Sequence, residues 1–123
     1  MPRSAHPEDD IQRTVLALFA LRAAPGTFVF HVSNGRARRP IESAILKSLG
    51  LRAGIPDLLV IRESHVFALQ LKPLDGRLSP AQLAAHDALR GAGAEVAVAG
   101  GIDQLIAVLE RWGLLRGQAS ISR

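Results

Sequence analysis

The spacing of apolar residues changes from segment to segment along this chain, and each change marks an element. Ile11, Val15, Leu18 and Phe19 recur at helical spacing with Arg22 on the same face, which predicts a helix from about Pro7 to Ala23 packed on a sheet. Pro7 in its first turn and the acids Glu8, Asp9 and Asp10 at the positive end of its dipole mark the start. Pro25-Gly26 reads as a turn, and Thr27 to Val32, rich in β-branched and aromatic residues, as a strand. Pro40 opens a second helix that Gly50 ends, with Ile41, Ala44, Ile45 and Leu49 as its buried face. Two apolar runs, Asp57 to Ile61 and Val66 to Lys72, flank Arg62-Glu63-Ser64-His65, which is the pattern of a β-hairpin.

Ser79-Pro80-Ala81-Gln82 is a capping box at the head of a helix to about Arg90: serine cap, proline at the first helical position, glutamine three beyond the cap. His86, one turn further, is expected to be exposed. Gly91-Ala92-Gly93 closes that helix, and Glu95 to Ala99 forms a strand. A last helix runs from Ile102 to about Trp112, with Ile102, Leu105, Ile106, Leu109 and Trp112 as its core face. The order α-β-α-β-β-α-β-α predicts an α/β fold, a mixed central β-sheet flanked by helices. A length of 123 residues suits one domain, with residues 1–6 and 117–123 expected to be flexible.

Composition narrows the chemistry. The absence of cysteine removes disulfides, thiolate zinc sites and cysteine nucleophiles together, leaving oxygen and imidazole as metal ligands. Apolar residues make up 48% of the chain, yet no unbroken apolar stretch approaches the roughly eighteen residues of a membrane helix. The polar, proline-containing start lacks the form of a signal peptide. The expectation is a soluble intracellular protein of cytoplasm or nucleoid, or a phage-encoded one in host cytoplasm. The net charge of +4 comes from an excess of arginine, whose planar fork grips phosphate bidentately, so nucleic acid is the expected partner. Aromatic residues, at 4%, are too few for a base-stacking platform, which favours backbone recognition. Arg36, Arg38 and Arg39 follow Asn34-Gly35 in a short loop without an apolar anchor and are candidate phosphate contacts.

The candidate centre lies in the hairpin. Because side chains alternate along a strand, Gln70 and Lys72 share one face while Leu71 takes the other. An antiparallel partner brings the Asp57 end of the first strand beside them. A carboxylate and an amide oxygen are hard ligands of the kind Mg²⁺ or Mn²⁺ takes, with positions left for water and phosphate, and Lys72 would orient the water. Gly54 and Pro56 restrict the backbone leading into Asp57 and are expected to hold it rigidly. Solvated polar residues at a strand end are the plainer reading of any single such motif. Gly100-Gly101 lacks the Gly-x-Gly-x-x-Gly spacing of a dinucleotide site, and no Gly-x-Ser-x-Gly elbow accompanies the serines, so neither a nucleotide cofactor nor covalent catalysis is indicated.

Gly54-x-Pro56-Asp57 followed by Gln70-x-Lys72 resembles the PD-(D/E)xK nuclease superfamily. With His31-Val32-Ser33-Asn34-Gly35, Leu46-Lys47, Gly50, Gly76 to Gln82, and Gly93 ahead of Glu95-Val96, the resemblance sharpens to the VRR-NUC (virus-type replication-repair nuclease) family across roughly residues 8 to 112. Gln70 stands where that family's pattern has glutamate. The resemblance implies a restriction-endonuclease-like core and a Mg²⁺- or Mn²⁺-dependent DNA endonuclease acting on branched DNA, a Holliday junction or flap. It implies a metal held by Asp57, Gln70, the Leu71 backbone carbonyl and Glu8, directly or through water. It also implies His31 and Asn34 near the substrate phosphate and Gln82 lining the site beside its capping role.

On this reading Asp57→Ala and Lys72→Ala each abolish cleavage with folding nearly intact. A homodimer is expected, since symmetric cutting of two strands needs two centres related by a two-fold axis. The last helix, with Trp112, Leu114 and Leu115, is the candidate interface. The rival reading, resting on Gln70, is a catalytically inactive nuclease fold that binds branched or duplex DNA.

Overall fold

The protein is represented by a computed structural model that describes residues 7–32, 44–45, 49–50, 52–71 and 77–117, with side chains from residue 10 onward. In chain order its elements are α1 (Pro7–Arg22), β1 (Phe28–His31), β2 (Leu58–Arg62), β3 (His65–Leu71), α2 (Pro80–Gly91), β4 (Glu95–Ala99) and α3 (Ile102–Arg111). Ala44 and Ile45 are helical, where the second helix is expected; its residues 40–43 and 46–48 lie outside the described residues, and the other elements follow in the anticipated order. None of the described helices is long and apolar enough to cross a membrane.

The strands form one mixed sheet in the order β1-β2-β3-β4. β1 and β3 run antiparallel to β2, whereas β4 runs parallel to β3 and is reached through α2. Alternation along the strands divides the sheet into two faces. On one face Leu58, Val60, Leu69, Leu71 and Ala99 join Val15 and Phe19 of α1 and Leu105, Val108 and Leu109 of α3 in a single buried cluster. Ala68 and Gln70 belong to the other face, where α2 contributes Ala85 and His86 to the buried residues. The capping box at Ser79 is fully formed: Gln82 N donates to Ser79 Oγ (3.1 Å) and Ser79 N donates to Gln82 Oε1 (2.8 Å).

The β2–β3 hairpin closes on Arg62 and His65 through Glu63 and Ser64, whose φ values are 52° and 66°. Two successive left-handed residues match the right-handed twist of the flanking strands, and Asn-Gly is the pair that adopts this geometry most cheaply. The Arg62–Glu63 ion pair at 3.4 Å is mostly solvated on the glutamate side and offsets little. Replacing Glu63 by Asn and Ser64 by Gly is expected to stabilise the fold by about 1 kcal/mol, or roughly 4 °C in Tm. Thermal melts check this, and an unchanged or lower Tm would locate no strain in the turn.

Three expectations are corrected. Ile45 and Leu49 are 53% and 77% exposed, not the buried face of a helix. Helical spacing makes an apolar stripe without supplying a surface for it, and the sheet faces over β3 and β4 are already occupied by α1, α2 and α3. Leu114 and Leu115 are buried in the chain's own core, so they are not available to a second copy. The chain folds back after α3: Ala24 N donates to Leu114 O at 2.9 Å, and Arg116 N donates to Arg22 O at 2.7 Å. Trp112 packs on Phe67 with ring centroids 5.1 Å apart, which accounts for the surplus of apolar residues beyond one helical stripe. The third correction is His86, which is 1% exposed.

Candidate active site

Asp57 sits immediately ahead of β2, and the pairing of Leu58 with Leu69 places it opposite Gln70. The segment leading to it is held on both sides. Gly54 has φ +81°, and a Cβ there would collide with the backbone of Ala81 and Gln82, so this loop rests directly against the first turn of α2. Pro56 is fully buried. The Asp57 carbonyl accepts from Val32 N at 2.9 Å and has His31 Nδ1 at 3.2 Å, which ties the residue to the end of β1. The residue is 8% exposed, and its carboxylate Oδ2 accepts from Leu71 N (2.7 Å) and Gln70 Nε2 (2.9 Å). Asp57 therefore has its position set by both neighbouring strands.

Gln70 is 3% exposed, and its Oε1 lies 3.1 Å from His86 Nε2. The roles in this row follow from the acceptor at its end. Asp57 Oδ2 already accepts from Leu71 N–H, and an accepting oxygen pairs with the amide's NH₂, so Gln70 turns its NH₂ toward Asp57 and its oxygen toward His86. His86 Nε2 must then carry a proton. Burial pushes the His86 pKa below its ordinary value, Arg90 adds to that, and Asp87 opposes it, so a neutral imidazole with its proton on Nε2 satisfies the row. Gln82, Ala85, His86 and Leu89 recur at i, i+3, i+4 and i+7 on α2, a period that would have placed His86 on the inward face.

Among the other expected site residues, His31 stands exposed at the end of β1 beside the Asp57 carbonyl. Gln82 is spent on the capping box, in the turn that the Gly54 loop touches, so its capping role and its nearness to the site coexist. Leu71, whose carbonyl is an expected ligand, presents its N–H to the Asp57 carboxylate. Lys72, Asn34, Arg36, Arg38 and Arg39 lie outside the described residues, as does the side chain of Glu8. Among the described residues no three His, Asp or Glu side chains converge as metal ligands. What they bring together is one carboxylate and one amide, with an imidazole behind the amide.

No family model matches the chain, and no curated protein matches it. Solved structures do. One described as a "VRR_NUC domain protein" superposes with a TM-score of 0.73 at 24% identity, over 89% of this chain and 90% of its own. Another, described as a "VRR_NUC domain", superposes with a TM-score of 0.62 at 25% identity, over 88% of this chain and 99% of its own. The fold is that of VRR_NUC domains, a nuclease-type architecture with a mixed sheet between helices.

Proposed function

From the VRR_NUC fold as premise, we propose that this protein is a divalent-metal-dependent DNA endonuclease whose centre is Asp57, Gln70 and Lys72. The supporting observation is the Asp57 carboxylate, buried at the joined ends of β2 and β3 and fixed there by Leu71 N and Gln70 Nε2. A carboxylate so placed suits a hard cation, for which the Leu71 carbonyl and Glu8 would be further oxygen ligands. Bound there, Mg²⁺ or Mn²⁺ would offset charge developing on a phosphodiester and make a water more acidic. Asp57 and Gln70 hold and orient in this scheme, while Lys72 takes or steers the proton of the attacking water. His31, Asn34 and the arginines Arg36, Arg38 and Arg39 grip phosphate, which is recognition without sequence preference. Cutting both strands of branched DNA requires two such centres, so the working form on that substrate is a homodimer.

A second reading has its own observation. The Gln70 amide offers Asp57 a donor, not an oxygen, and Gln70 is neutral, an arrangement that suits a fold retained for binding DNA alone. Labelled linear, flapped and four-way DNA incubated with the protein in Mg²⁺ and in Mn²⁺, then with excess chelator, separates the two. The expected result is cleavage that the chelator stops. Retention of branched DNA without cutting in either metal would establish the binding module instead.

A further inference from the structure

We propose that His86 is a positioning residue for this centre: its imidazole decides which end of the Gln70 amide faces Asp57, and a hard cation recruits Gln70 only by reversing that amide against His86. The inference rests on reading Asp57 and Gln70 as the cation's ligands. It starts from the buried row in which His86 Nε2 lies 3.1 Å from Gln70 Oε1 and Gln70 Nε2 lies 2.9 Å from Asp57 Oδ2. Both inner residues are nearly inaccessible to water, at 3% for Gln70 and 1% for His86, so solvent cannot replace either bond.

The amide has two orientations and the row allows one. With its oxygen on Asp57, two acceptors would face each other at 2.9 Å, and the NH₂ would confront an imidazole N–H. With its NH₂ on Asp57, both contacts have a donor and an acceptor. A cation at Asp57 changes the balance, because it rewards an oxygen where the row supplies an NH₂. Reversal also requires Nε2 of His86 to become an acceptor, with the ring's single proton carried on Nδ1. A glutamate at position 70 would need no reversal, since either of its oxygens could accept from His86 while the other met the cation. The imidazole therefore matters because residue 70 is an amide. A histidine that served only to pack α2 on the sheet would have no such dependence.

Two measurements test this on the purified full chain. In metal-free protein, ¹⁵N NMR is expected to show His86 as the Nε2–H tautomer, and finding Nδ1–H would overturn the proposal. Calorimetric titration with Mn²⁺ then compares wild type, His86→Leu, Gln70→Glu and the double variant. His86→Leu is expected to tighten Mn²⁺ binding by roughly three- to tenfold in the Gln70 protein, the equilibrium worth of one hydrogen bond. In the Gln70→Glu background the same substitution should leave affinity unimproved. An equal change in both backgrounds would show a packing role and overturn the proposal. His86→Gln, whose own amide bonds Gln70 either way round, covers the case in which leucine unfolds the domain, and it too should tighten Mn²⁺ only beside Gln70. If no variant takes up Mn²⁺ while the Nε2–H tautomer is present, the cation reading of Asp57 falls and the imidazole stands as the lock on the amide.

Discussion

Asp57→Ala is expected to end cleavage in both Mg²⁺ and Mn²⁺ and also to weaken the fold by about 2–4 kcal/mol. The second effect departs from the expectation that folding would survive this substitution nearly intact, and it follows from the geometry. Asp57 Oδ2 is the acceptor for Leu71 N–H and for Gln70 NH₂, both buried. Alanine leaves two donors unsatisfied at about 1–3 kcal/mol each, less whatever water enters the space. For a small domain with about 5–15 kcal/mol in total, that is a large fraction. Loss of activity in Asp57→Ala would thus be ambiguous. Asp57→Asn separates the causes, because its amide oxygen still accepts from Leu71 N–H while the negative charge is gone. It should stay folded with cleavage down by roughly a thousandfold, the loss of several kcal/mol of metal-dependent stabilisation. Urea unfolding and single-turnover cleavage on the same preparations give the answer. A folded Asp57→Asn protein that cuts at near wild-type rate would remove Asp57 from the chemistry.

The parts of this fold that were legible in the sequence are those governed by local period and local hydrogen bonding. The capping box at Ser79 and Gln82 is a local device, and it formed as read. The Asp57–Gln70 contact follows from strand parity and a short hairpin, so placing one residue of the pair fixed the other. What the sequence did not disclose depends on which surfaces meet. Ile45 and Leu49 have the spacing of a buried stripe and yet are exposed, because the sheet faces over β3 and β4 are already covered. Leu114 and Leu115 fall beyond the last helical stripe, and only the fold-back onto α1 explains why they are apolar. His86 was misplaced for a related reason. A histidine beside Asp87 and Arg90 on a helix reads as surface, while its value lies in a partner sixteen residues away, on the sheet face that the helix covers.

Gly54→Ala is expected to be among the most damaging single substitutions in the domain, although it adds only one methyl group and removes no hydrogen-bonding side chain. Two costs combine. At φ +81° a non-glycine residue is strained by about 1 kcal/mol or more. The added Cβ would also overlap the carbonyl of Ala81 and the amide of Gln82, which are backbone atoms and cannot move aside by changing rotamer. Either the loop lifts or the first turn of α2 does. The first movement displaces Asp57, three residues on, and the second disturbs the capping box together with the helix that carries His86 to Gln70. A loss of at least about 3 kcal/mol follows, or roughly 10 °C or more in Tm, with cleavage falling alongside. Gly26→Ala is the control. Its φ of +75° is nearly the same, but nothing lies within 4 Å of the added Cβ, so only the backbone strain should appear. Thermal unfolding of the two variants side by side isolates the contact: equal losses in Tm would mean that the approach of the Gly54 loop to α2 contributes nothing to stability, and a much larger loss at Gly54 would identify that approach as what seats Asp57 against Gln70.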